Sequence, residues 1–118
     1  MSNHVHIIWQ SKGRNDIQKI QTSFMKHTSK EFKKQLEKDN NIKDYEVNTN
    51  DRKYNFWQRD SLNIELFTAA VFNQKLNYVH HNPVRAGLCN LPEEYHFSSA
   101  LFYETGIDNF GFIEHYLG

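Results

Sequence analysis

A chain mixing strand and helix, in the α/β (α+β) class, is predicted by two kinds of spacing in these 118 residues. Near the start, His4 and His6 alternate with Val5 and Ile7, the period-two pattern of a strand whose two faces differ. Further on, Ile17, Ile20 and Phe24, and again Ala69, Phe72, Leu76 and Val79, recur at three and four, as on a helix with one buried face. Short alternating runs at Phe56-Trp57-Gln58-Arg59 and Asn63-Ile64-Glu65-Leu66 read as strands or extended segments, giving the order strand, helix, strand, helix. Periodicity says nothing about topology beyond that order.

The elements follow in turn. Ser11 to Arg14 is a turn or loop, and Asn15 with Gln18 reads as a capping pair opening the first helix. Thr28 with Glu31 is a second capping box, so the helix is expected to kink or restart there, run through Phe32 and Leu36 to about Lys38, and pack on a sheet. Residues 39–55 are polar and read mainly as loop, with a short extended piece near Tyr45-Glu46-Val47. The second helix spans about Phe67 to His81. It is expected to stop at Asn82, because the following Pro83 disfavours the α region there, with Gly87 suited to a C-cap or tight turn. Ser98 reads as the N-cap of a short helix through Ala100, Leu101 and Tyr103. Phe110 to Tyr116 supply aromatics for a last packed element.

Length allows one domain, residues 1–118, and a modest core. Hydrophobic residues make up 38% and aromatics 14%, enough to build that core, so low hydropathy reflects many polar side chains rather than disorder. The single Cys89 forms no intrachain disulfide, and no leader or long apolar run is present. The expectation is a reduced cytoplasmic protein with no membrane span. Net charge is zero, which argues against a nucleic-acid binder until the charges are placed along the chain. Residues 1–40 hold eight Lys or Arg against four acids, while residues 91–118 hold five acids and no Lys or Arg. Lys26, Lys30 and Lys33 thus sit in a basic half able to face a phosphate backbone, or equally on a merely solvated helix face. There is no internal repeat and no phosphate-binding glycine loop.

Two local patterns carry chemistry. His4 and His6 on one strand face make half of a metal site, since neutral imidazole is the commonest metal ligand, although two surface histidines or a tag remnant would look the same. Tyr78 and Asn82, four apart at the end of a helix, share a face one turn from each other. Tyr78 lies beside the buried stripe, where its ring packs and its hydroxyl can face a cleft. A plain packing role is the competing reading. Trp57 is either core or a platform on which a base stacks.

His4-Val5-His6 together with Tyr78-Val79-His80-His81-Asn82-Pro83-Val84-Arg85-Ala86-Gly87 resembles the single-tyrosine HUH transposases, and within them the REP-associated tyrosine transposase branch. The similarity extends to Phe56-Trp57-Gln58-Arg59, Pro92-Glu93-Glu94-Tyr95 and Ser98-Ser99-Ala100, and so covers nearly the whole chain. The His-x-His triplet is common, whereas the Tyr-x-His-x-Asn-Pro-Val block is specific. The resemblance implies a central antiparallel sheet carrying the HUH strand, with helices packed on it. It also implies a first strand and loop ahead of His4 that this chain lacks. An HUH strand left unpaired on one edge would recruit a second chain, hence an expected homodimer.

The resemblance further implies that Tyr78 attacks a phosphodiester of single-stranded, hairpin-containing DNA, giving a 5′-phosphotyrosine and a free 3′ hydroxyl. Mg²⁺ or Mn²⁺ on His4, His6 and Asn82 would assist, with imidazole ligands tilting the choice toward Mn²⁺. A phenol, with its ordinary pKa near 10, needs such help from a cation or base at neutral pH. Lys26, Lys30, Lys33, Arg85 and Trp57 are the candidate DNA contacts. The alternatives are a catalytically inactive DNA-binding relic of such a transposase, and a zinc-stabilised domain, which the lack of a Cys-x-x-Cys or His-x-x-x-His pattern disfavours.

Overall fold

Asp16 begins the first regular element. Its Oδ1 accepts hydrogen bonds from the backbone N–H groups of Gln18 (2.9 Å) and Lys19 (3.3 Å), satisfying donors that a helix start leaves orphaned. The computed structural model describes residues 1, 3–13, 16–58 and 61–118, so the capping role expected of Asn15 lies outside the described residues. From Asp16 the helix α1 runs Ile17–Lys38 without interruption. Thr28 does not restart it. The Thr28 hydroxyl instead bonds back to the Phe24 carbonyl at 2.8 Å. The helix ends in a Schellman turn, with Asn40 left-handed at φ 58°, its N–H bonded to the Glu37 carbonyl and that of Asn41 to Leu36.

The chain divides into two compact units, Trp9–Ile64 and a discontinuous one made of Met1–Ile8 with Glu65–Gly118. In the first, Phe24, Thr28 and Phe32 lie at four-residue intervals on one face of α1 and meet the segment after the loop. Trp57 lies 6.3 Å from Phe24 and 5.6 Å from Phe32 between ring centroids, and its indole N–H donates to Thr28 Oγ1 at 2.9 Å. Phe56 extends the cluster to Tyr45 (5.5 Å) and Tyr54 (6.2 Å). Between them, residues Ile42–Tyr45 form a 3-10 turn.

In the second unit, α2 spans Ala69–Arg85, with Thr68 Oγ1 capping the Val71 N–H, and α3 spans Ala100–Thr105. A 3-10 turn at Pro92–Glu94 precedes α3, and Glu94 Oε2 accepts from the Asn90 and Leu91 amides at 2.9 and 3.0 Å. Ser98 Oγ accepts from the Ala100 amide at 3.1 Å. Ser99, rather than the expected Ser98, occupies the N-cap position of α3, while the Ser98 side chain bonds the first amide of the helix. The tail forms no regular element, yet Tyr116 stacks on Phe72 at 4.3 Å and His115 meets Tyr103 at a tilt with centroids 5.0 Å apart.

Two expectations are corrected. The α/β fold with a central antiparallel sheet does not form: the chain is helical, and the described residues contain three α-helices and no strand. Their β pairing is one isolated antiparallel bridge, Glu46 to Tyr54. Alternating residues favour an extended backbone, but a strand exists only where a second segment pairs with it, and that partner is a non-local matter that period-two spacing cannot specify. With no HUH strand among the described residues, the argument for a homodimer through its edge loses its basis.

The second correction concerns Pro83, which does not end α2. The helix carries it in its last turn and continues through Val84 and Arg85. Pro83 has no N–H to give the carbonyl four residues before it, and a Schellman turn closes the helix immediately after. The Gly87 N–H bonds to the Val84 carbonyl and the Leu88 N–H to the Pro83 carbonyl, both at 2.9 Å, with Gly87 left-handed at φ 69°. The C-cap role expected of Gly87 is thus observed. A Cβ at Gly87 would meet nothing within 4 Å, so the cost of adding one is conformational alone. Gly87→Ala is expected to destabilise the chain by about 1 kcal/mol and Gly87→Asn by less, as read from denaturant midpoints.

Among the described residues no helix is long and apolar enough to cross a membrane.

Candidate functional site

Extended backbone at the start of the chain and the last two turns of α2 place the candidate residues together within one unit. The His4 and His6 rings meet edge to face with centroids 5.1 Å apart, and His6 in turn meets Tyr78 edge to face at 5.8 Å. Beside them lies an open cleft of about 200 Å³ bordered by His4, His6, Asn82, Pro83, Tyr95 and Ser98, among others. Val5 also borders it, so the clean alternation of a pleated strand is not kept. Tyr78 is exposed and reaches this group through its contact with His6.

The donor set suits a divalent ion. His4 Nδ1 is held by Asn3 Oδ1 at 2.7 Å, which leaves Nε2 for a ligand. Partial burial, and then the proximity of His4, pull the His6 pKa below the usual imidazole value, so His6 is neutral and able to ligate at pH 7. Centroids 5.1 Å apart are a spacing at which two imidazoles can share one ion bonded about 2 Å from each nitrogen. Asn82 borders the same cleft, with its amide oxygen bonded to Arg85 Nη2. Groups of three or more His, Cys, Asp or Glu that would form a stronger site are absent among the described residues.

Arg85 is the residue whose role the spacing hid. Because α2 continues past Pro83, residues 78, 82 and 85 fall on one face, and the Arg85 guanidinium lies 4.8 Å from the Tyr78 ring centroid. Its Nη2 donates to the Tyr78 carbonyl at 2.8 Å and to Asn82 Oδ1 at 2.5 Å. The other suggested DNA contacts, Lys26, Lys30, Lys33 and Trp57, belong to the unit Trp9–Ile64. Lys26 borders a shallow surface depression with Asp16, Lys19 and Ser23, and Lys30 is exposed. Lys33 is engaged with Glu37 at 3.6 Å and with the Tyr54 ring, and Trp57 is a half-buried packing residue.

The packing role of His80 was also missed. Its Nε2 bonds Ser99 Oγ at 2.9 Å and its ring lies 5.5 Å from Tyr103, so it joins α2 to α3 where a Leu would otherwise be expected. The signal was present in the run Phe72, Leu76, His80 and Pro83, which continues the helix stripe at four, four and three. Burial, and then the neighbouring His81, hold the His80 pKa below its ordinary value. An unfolded chain therefore binds this proton more readily than the folded one. Stability is expected to be level above pH of about 6.5 and to fall as pH drops below it toward the depressed folded value. Denaturant melts between pH 8 and 5 check this, and His80→Gln should flatten that part of the profile.

No family model matches the chain, and neither any curated protein nor any solved structure matches it significantly.

Proposed function

We propose that the chain is a metal-dependent transposase-like enzyme that cleaves and rejoins single-stranded, hairpin-containing DNA in the cytoplasm, as the REP-associated tyrosine transposases it resembles do. The observation that carries this reading is the run of contacts from His4 to His6 to Tyr78, which joins residues about seventy positions apart. His4, His6 and Asn82 would hold Mg²⁺ or Mn²⁺, which when bound supplies positive charge for a phosphodiester. Tyr78 oxygen attacks phosphorus, the bond from phosphorus to the 3′ oxygen breaks, and that oxygen leaves with the electron pair and takes up a proton as the phenol loses one. Arg85 keeps a permanent positive charge beside the nucleophile.

A second reading, a catalytically inactive DNA-binding relic, is favoured by the histidine segment having no strand partner among the described residues. One assay separates the two. Incubated with hairpin-bearing single-stranded oligonucleotides and Mn²⁺, the active enzyme forms a protein–DNA adduct that survives SDS and does not form when EDTA is present from the start, whereas a relic shifts the oligonucleotide on a native gel without any adduct.

A further inference from the structure

Asn82 can give a hard cation only its Oδ1, since the amide nitrogen has no free lone pair. One lone pair of that oxygen is engaged by the Arg85 Nη2 at 2.5 Å, with the guanidinium charge opposing a cation at the other, and the same guanidinium is anchored on the Tyr78 carbonyl and ring. As the structure stands, the cleft offers an ion two imidazoles, and a guanidinium is engaged on the third donor. A neutral amide oxygen is a weak partner for such a group. A phosphodiester oxygen is a better one, since the hydrogen bond is then charge-assisted and the planar fork can engage two oxygens at once. Arg85 is exposed and three residues from Asn82 on the last turn of α2, so its side chain can change partner without any movement of the backbone.

We propose that Arg85 is a phosphate-operated latch on the metal site: it holds Asn82 Oδ1 in the free protein and releases it when a phosphodiester draws the guanidinium away. The inference rests on the metal-binding reading of the preceding section and adds its regulation. Two-histidine binding is weak, and the third ligand arrives with the substrate, so the complete site assembles only around a phosphate. By linkage, metal and phosphodiester then raise each other's affinity.

Bridging of ion and phosphate would also give cooperativity, so the test turns on Asn82. Mn²⁺ is titrated by calorimetry into the wild-type chain and Asn82→Ala, with and without saturating thymidylyl-thymidine, a probe with one phosphodiester and no phosphomonoester. The latch predicts equal Mn²⁺ affinity for the two proteins without the dinucleotide, and about a tenfold deficit for Asn82→Ala in its presence. In an Arg85→Met background, the deficit should appear without the dinucleotide as well. An equal deficit under both conditions, or none under either, overturns the latch while leaving a histidine site intact. Absence of any Mn²⁺ binding that depends on His4 and His6 overturns the metal site itself. The first comparison requires only the wild-type chain and Asn82→Ala, so it stands if Arg85→Met does not fold.

Discussion

Tyr78→Phe is expected to eliminate the SDS-resistant adduct with single-stranded DNA, lowering its rate of formation by roughly a thousandfold or more, while oligonucleotide affinity stays within about twofold of wild type. The separation follows from what the hydroxyl does and does not touch. The ring carries the edge contact with His6 and the Arg85 guanidinium, and the carbonyl accepts the Arg85 hydrogen bond; all three survive loss of the oxygen. No group other than the phenol oxygen is replaced, so a fall in affinity of the same size as the fall in rate would mean that Tyr78 binds rather than attacks. An undiminished adduct would assign the nucleophile elsewhere. Gel electrophoresis of a 5′-labelled and a 3′-labelled oligonucleotide in parallel also identifies which side of the break stays attached.

The next largest effect belongs to the histidines. His4→Ala or His6→Ala is expected to weaken Mn²⁺ binding by about a hundredfold, and the double variant should be hardly worse than either, because ligands of one ion act as a unit and their losses do not add. Independent surface histidines would give small, additive changes instead. Acid should act in the same direction: the depressed His6 pKa keeps that ligand neutral through pH 7, so proton competition at His6 sets in only below the usual imidazole range. Calorimetry on the four proteins at pH 7.5, and on the wild type down to pH 5.5, measures both effects.

The helices were legible because their signal is local. Spacings of three and four among Ile17, Ile20 and Phe24, and among Phe72, Leu76 and Val79, are each resolved within a few turns, and the Lys38 end and Gly87 cap of the two long helices depend on neighbours a few residues away. The sheet was not legible in the same sense. Alternation around His4 and His6 reported an extended backbone, while the partner needed to make it a strand was inferred from resemblance and is absent among the described residues. Pro83 misled for a related reason. A proline disfavours the α region for the residue before it on average, yet here the helix runs through Pro83 to Arg85, and a helix assumed to stop at Asn82 conceals the register that brings Arg85 to Tyr78. Tyr78, His4 and His6 could be selected by their chemistry, whereas the clasp on Asn82 depends on a side-chain conformation that no spacing rule contains.

The histidines and the tyrosine share a unit whose chain is interrupted, since everything from Trp9 to Ile64 is threaded between its two pieces. Bringing His4 to Tyr78 is therefore the closure of one long loop, whose entropic cost grows only with the logarithm of its length. For a flexible chain each doubling of length costs about 0.6 kcal/mol. That segment is thus the part of the molecule in which insertions, deletions or a grafted domain are tolerated most cheaply by the cluster. The contacts of high sequence separation that complete the cluster are also the ones expected to form late, after the helix α2 that presents Tyr78.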